Sequence, residues 1–174
     1  MKSNNIIFKR INKKDLKLLH KWFQIPHVLK WYARGEKYTL KRIEEKYIPR
    51  INNPTITNFI IYDHDKEVGY IQFYLLTDHY PEGIKNNNHP LFKDFKLEEL
   101  VGIDFFIAEE NYLHTGFSSY ALNEFIKKYI QGKFQAVLVD PDKENSIAIR
   151  FFEKNGFKQI LSQDNQHDLM VNKI

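Results

Sequence analysis

Between Val101 and Phe157 the chain alternates strand, helix, strand and helix, and this stretch constrains the fold more than any other. Val101-Gly-Ile-Asp-Phe-Phe-Ile-Ala108 is an apolar run of the length of one buried strand. It ends at Glu109, Glu110 and Asn111, and a small-residue turn, Leu113 to Ser119, follows with Gly116 at its centre. From there Phe117, Tyr120, Ala121, Phe125, Tyr129 and Ile130 recur at three- and four-residue spacing, the period of a helix face. Phe134 to Val139 is a second apolar strand, stopped by Asp140-Pro141. Asn145 caps a helix through Glu153, and Asn155-Gly156 is its left-handed stop; another strand begins at Phe157. A strand, a glycine turn and a helix start make an anion site. The unpaired N–H groups of the first helical turn and the positive end of its dipole point outward, and a phosphate or pyrophosphate is the usual guest. An ordinary strand-to-helix turn gives the same local signal.

The second helix carries a more specific pattern. Asn145-Ser-Ile-Ala-Ile-Arg-Phe-Phe-Glu-Lys-Asn-Gly-Phe157 resembles the N-x-x-A-I-x-x-Y-E-K-x-G-F signature of the GNAT superfamily of acyl-CoA-dependent N-acetyltransferases. The turn at Leu113–Ser118 stands where that family has its pyrophosphate loop. Gly102-Ile103-Asp104 is similar to the G-I-D strand of the aminoglycoside 6'-N-acetyltransferases, and Pro26–Trp31 and Glu67–Gln72 also fit that subfamily. The resemblance implies an α/β (α+β) protein. Its mixed, curved central sheet has six or seven strands, flanked by about four helices.

It also implies acetyl-CoA as cosubstrate. The backbone donors of Thr115, Gly116, Phe117, Ser118 and Ser119 then hold the pyrophosphate, with His114 beside them, and Phe106, Ile107, Asn145 and Phe152 complete the cofactor contacts. Two departures stand out. His114 and Thr115 replace the usual Arg or Lys, and Ser118 replaces the second glycine or alanine. Asp104 is the expected general base: a carboxylate on an apolar strand is costly unless hydrogen-bonded or functional. A structural aspartate bonded to nearby backbone is the alternative explanation. Phe152 stands where the family commonly has the tyrosine that protonates the departing thiolate, and phenylalanine has no proton to give. Tyr120 and Ser146 are the neighbouring hydroxyls. Asn145 fits either a cofactor contact or a simple cap.

Size and charge narrow the field. The 174 residues suit one domain, residues 1–174, and no segment approaches the length of a membrane span. The N-terminus lacks a secretory core, so a cytoplasmic protein is expected. With no cysteine, disulfides, thiolate metal sites and cysteine nucleophiles are excluded, and no metal is expected. The net charge of +4 is mild and lacks a dense basic block, which argues against nucleic acid and suits an anionic cosubstrate. A monomer or homodimer is expected.

In the first half of the chain, Ile6–Ile11 reads as a strand. Asn12 caps a helix with Leu16, Leu19, Trp22 and Phe23 on its apolar face, and Thr39 caps another from Leu40 to about Ile48. Thr57–Tyr62 and Val68–Leu75 form a hairpin around Asp63–Glu67, with His64 solvated at the tip. Residues 78–100 are irregular. From Asp78 to Asp104 six acidic residues face three lysines, a balance that suits a cationic amine or ordinary solvated scatter. His89 in that loop reads as exposed. Trp31, Tyr32, Tyr70, Phe73 and Tyr74 are acceptor-pocket candidates, about half of them expected to be core. The substrate-binding set is Trp31, Tyr74, Asp78 and Asp104, for a small-molecule amine. An aminoglycoside 6'-amine leads; a siderophore-pathway, other small-amine or peptide acceptor, and a non-catalytic acyl-CoA-binding protein, are the alternatives.

Overall fold

The computed structural model describes residues 5–174. Seven strands form one sheet: β1 (Ile6–Arg10), β2 (Ile56–Asp63), β3 (Lys66–Leu75), β4 (Leu100–Ile107), β5 (Ala136–Val139), β6 (Lys158–Ile160) and β7 (Leu169–Lys173). Their order is β1-β2-β3-β4-β5-β7-β6. Four α-helices occur among the described residues: α1 (Leu16–Trp22), α2 (Leu40–Ile51), α3 (Phe117–Phe125) and α4 (Ser146–Lys154). The expected sheet and helices are therefore present. By contacts the chain divides into two compact units, Met1–Gln72 with Phe105–Ser118, and Phe73–Asp104 with Ser119–Ile174.

In the first unit, β1 and β2 pair antiparallel from Ile6↔Asp63 to Arg10↔Phe59. Asn12 does cap, but what it starts is a 3-10 turn, Lys13–Asp15, which leads into α1; its side chain accepts from the Lys14 amide at 2.9 Å. Thr39 caps α2 by accepting from the Arg42 amide at 3.2 Å. That helix runs on past Pro49 to Ile51, three residues beyond the expected end. Val28–Tyr32 winds as a wide π turn. The core here is strongly aromatic. Trp22, Phe23, Tyr47 and Tyr70 are fully enclosed, and Phe106 packs edge-on against Trp22 at 6.0 Å and Phe23 at 6.2 Å. His64 holds the β2–β3 tip with φ +56 and is exposed, as expected.

In the second unit, β4 and β5 pair in parallel from Leu100↔Ala136 to Gly102↔Leu138. Parallel neighbours need a crossover, and α3 supplies it. β5 has four residues against eight in β4, so it cannot pair along the whole of that strand. β7 then joins β5 antiparallel, and β6 joins β7. The irregular stretch 78–100 is ordered by two short 3-10 turns, Pro90–Lys93 and Leu97–Glu99, and by contacts distant in sequence. The Glu82 amide donates to Asp140 at 2.6 Å and the Lys85 amide to Gln163 at 2.9 Å. The expectation that His89 is exposed is corrected: it is buried, with Nε2 at 2.9 Å from the Leu161 carbonyl and Nδ1 accepting from the Leu91 amide at 3.2 Å. Both ring nitrogens are satisfied only in the neutral Nε2–H tautomer.

Candidate active site

The glycine turn is braced from below. Tyr112, just before it, donates its hydroxyl to Asp63 at 3.0 Å and packs its ring edge-on against Phe117 at 4.8 Å. Burial, then the bond to Asp63, pushes the Tyr112 phenol above its ordinary pKa, so the hydroxyl stays a donor. Lys66 pairs with Glu109 at 2.6 Å at the start of the same loop. Thr115 turns its hydroxyl back to the Tyr112 carbonyl at 2.8 Å, and the same oxygen accepts from the Phe117 amide at 3.3 Å. The Phe117 N–H thus has an internal acceptor. His114 and Gly116 are left-handed, at φ +61 and +88, and a side chain on Gly116 would meet nothing within 4 Å. The turn therefore presents open space above a helix start, with His114, Thr115 and Gly116 exposed. That geometry fits an anionic diphosphate.

Phe106 and Ile107 precede this turn on β4. Both side chains are buried, and the Ile107 carbonyl lies 2.8 Å from His27 Nε2. Gly69 on β3 is required here, because a Cβ would collide with the Phe106 carbonyl and lie 2.9 Å from the Ile107 side chain.

Two further cofactor candidates, Ser119 and Asn145, are placed in the second unit. The Ser119 hydroxyl oxygen accepts from Asn155 Nδ2 at 3.0 Å, which leaves its proton free to donate elsewhere. Asn145 accepts from the Ala148 amide at 3.1 Å, so it caps α4. Phe152 is buried and packs against Phe151 at 5.1 Å and Phe157 at 5.3 Å. Its ring serves the core. Of the nearby hydroxyls, Ser146 lies 3.4 Å from Arg150 Nη2, and Tyr120 is exposed on α3.

Asp104 is half-buried on β4, two residues beyond Gly102, so both face the same side of the strand. A Cβ on Gly102 would overlap the hydroxyl end of the Tyr74 ring, which lies flush over that strand. Tyr74 is itself buried and meets His79 edge-on at 5.1 Å. Gly102 is thus the space in which Tyr74 sits, and Asp104 follows it on the same face. Asp78 is exposed in the loop after β3, and Trp31 is half-buried under the Lys30 ammonium at 4.4 Å. Of the five aromatic candidates, Tyr70 and Tyr74 are buried, while Trp31, Tyr32 and Phe73 are half-buried.

Sequence reasoning missed Asn155. Beyond Ser119, its side chain donates to the Phe151 carbonyl at 2.7 Å and accepts from Asn123 at 3.1 Å, while its carbonyl accepts from Asn172 at 3.3 Å. Its place before Gly156 signals a helix end but not this junction.

Comparison with known proteins identifies the family. Residues 12–164 match the model of the acetyltransferase (GNAT) domain family. An aminoglycoside N(6')-acetyltransferase type 1 of Klebsiella pneumoniae is 22% identical over 160 residues, covering 90% of this chain and 76% of the relative. The crystal structure of the aminoglycoside acetyltransferase AAC(6')-Ib in complex with coenzyme A superposes with a TM-score of 0.76 at 23% identity, covering 97% of this chain and 95% of that one. An aminoglycoside N(6')-acetyltransferase from Legionella pneumophila gives 0.68 at 22% identity, over 99% and 94% of the two chains. A family match over residues 12–164 makes this chain a member of the GNAT acetyltransferase family, an acetyl-CoA-dependent N-acetyltransferase.

Proposed function

We propose that the protein acetylates a primary amine of a small, cationic acceptor, an aminoglycoside 6'-amine first among them, with Asp104 as general base. The observation that carries this reading is the position of Asp104 on β4, two residues beyond Gly102 and on the face of the strand over which the Tyr74 ring lies at Gly102. Acetyl-CoA supplies an activated thioester carbonyl. The chain's part is to orient and to move a proton. The Ser118 and Ser119 N–H groups, which follow the internally bonded Phe117 amide in the first turn of α3, hold the diphosphate, with Gly116 leaving space above them. An ammonium must lose a proton before its nitrogen can attack, and the Asp104 carboxylate takes it. The new bond joins nitrogen to the acyl carbon, and the carbon–sulfur bond breaks. Phe152 cannot protonate the leaving thiolate.

The domain assignment over 1–174 and the small-molecule partner belong to the same reading. The curated relative named above as an aminoglycoside acetyltransferase, and a solved AAC(6')-Ib complex with coenzyme A and kanamycin, support the acceptor class. The test is thiol release from acetyl-CoA with kanamycin as acceptor, in wild type and Asp104→Asn. Turnover should fall by about 100-fold or more, as loss of a general base does, while acetyl-CoA affinity holds. Undiminished turnover in the variant refutes the base assignment. Turnover with small polyamines or peptides but not with kanamycin moves the acceptor class.

A further inference from the structure

The Lys46 ammonium lies within reach of four aromatic rings at once. It is 5.2 Å from the centroid of Tyr38, 5.5 Å from Phe23, and 5.6 Å from both Tyr32 and Tyr47. The rings are mutually arranged. Phe23 stands edge-on to Tyr38 at 4.9 Å, to Tyr32 at 5.6 Å and to Tyr47 at 6.1 Å. Phe23 and Tyr47 are fully enclosed, whereas Tyr32, Tyr38 and Lys46 are half-buried, so the enclosure has a closed floor and an open side. Cation–π contacts of consequence occur about once per 70–80 residues, and here four rings of one aromatic cluster converge on a single ammonium. Arg42, the next cation, is accounted for elsewhere: it rides on Tyr38 at 4.2 Å and is ion-paired with Glu36.

We propose that Phe23, Tyr32, Tyr38 and Tyr47 form a binding site for an alkylammonium ligand, and that Lys46 occupies it as a tethered competitor. Lysine is itself an ammonium on an unbranched methylene stem, and this defines the ligand class. Its stem has several rotatable bonds and its head group is strongly hydrated, so the ammonium can exchange the rings for water. A tethered occupant acts at a high effective concentration, so a free ligand binds wild type weakly and binds tightly once the tether is removed. For an enzyme with a polycationic acceptor the site is a second ammonium anchor; that last assignment alone rests on the proposed function.

The experiment is calorimetric titration of n-butylammonium and tetramethylammonium, with 1-pentanol as the neutral control, into wild type and Lys46→Ala in the absence of acetyl-CoA. The variant should bind both cations at least about tenfold more tightly than wild type, ignore the alcohol, and lose the gain when Tyr38→Ala is added. Equal affinity in wild type and variant, or binding without charge selectivity, overturns the proposal. A second measurement uses wild type alone. In protein labelled with carbon-13 lysine, the Lys46 ε-methylene should be displaced upfield by the ring currents and return toward the ordinary position on saturation with tetramethylammonium. An ε-methylene at the ordinary position from the outset overturns it. Because neither readout needs turnover, failure here is distinguishable from failure of the acetylation reading.

Discussion

Gly69 has no room for a methyl group. A Cβ there runs into the Phe106 carbonyl, a backbone atom that cannot swing aside. Gly69→Ala should destabilise the protein by about 1–3 kcal/mol, the usual cost of overpacking, read as a lower urea midpoint. Asp164 offers a pH test. It accepts from His167 Nδ1 at 2.5 Å and from the His167 and Gln166 amides at 2.7 and 3.1 Å. The His167 side-chain bond, foremost, lowers its pKa below the ordinary 3.8. The stabilisation is therefore complete above 3.8 and is lost as pH falls from there through the lowered folded value. Melting temperatures of wild type and Asp164→Asn should differ at neutral pH and converge at the acid end. A gap that persists unchanged through that window contradicts the assignment. Residues such as Asp104 and Gly116 stand out in the sequence because their oddity is local: a carboxylate within an apolar run, a glycine before a helix. His89 does not. Its partners, Leu91 and Leu161, lie 2 and 72 residues away, and nothing in the loop composition announces the distant one.

The helix from Asn145 to Gly156 was the most readable element, since cap, apolar face and stop are all local signals; Gly156 takes φ +88 as its stop role requires. β5 was harder. The apolar pattern starts at Phe134, but the Phe134 amide donates to Ile130 at 3.2 Å, closing the helical segment after α3. The Gln135 amide then bonds Glu99, and only from Ala136 does the backbone join the ladder. Propensity cannot foresee which amides a preceding helix end will consume. The same limit applies to the junction at Asn155, which ties α3, the end of α4 and β7. Asn155→Ala strands several partners and should cost about 1–3 kcal/mol in urea unfolding. It should also speed amide exchange in the last turn of α4. A change within a few tenths of a kcal/mol would show that water replaces those bonds.

At the scale of the molecule, a seven-stranded mixed sheet and a match over residues 12–164 carry the family assignment. No helix among the described residues is long and apolar enough to cross a membrane. The acceptor was less legible than the fold, because the proposed donor site rests on the backbone of one local turn, whereas the proposed acceptor residues are side chains scattered in sequence from Trp31 to Asp104. The central claim is that the turn at Gly116 holds the diphosphate of acetyl-CoA, and titration calorimetry tests it directly. Wild type should bind acetyl-CoA with micromolar affinity, about −8 kcal/mol. Gly116→Val, which places a β-branched residue at φ +88, should bind at least about tenfold more weakly while circular dichroism stays unchanged. Wild-type binding that is undetectable at millimolar acetyl-CoA, or equal binding by the two proteins, would contradict the account.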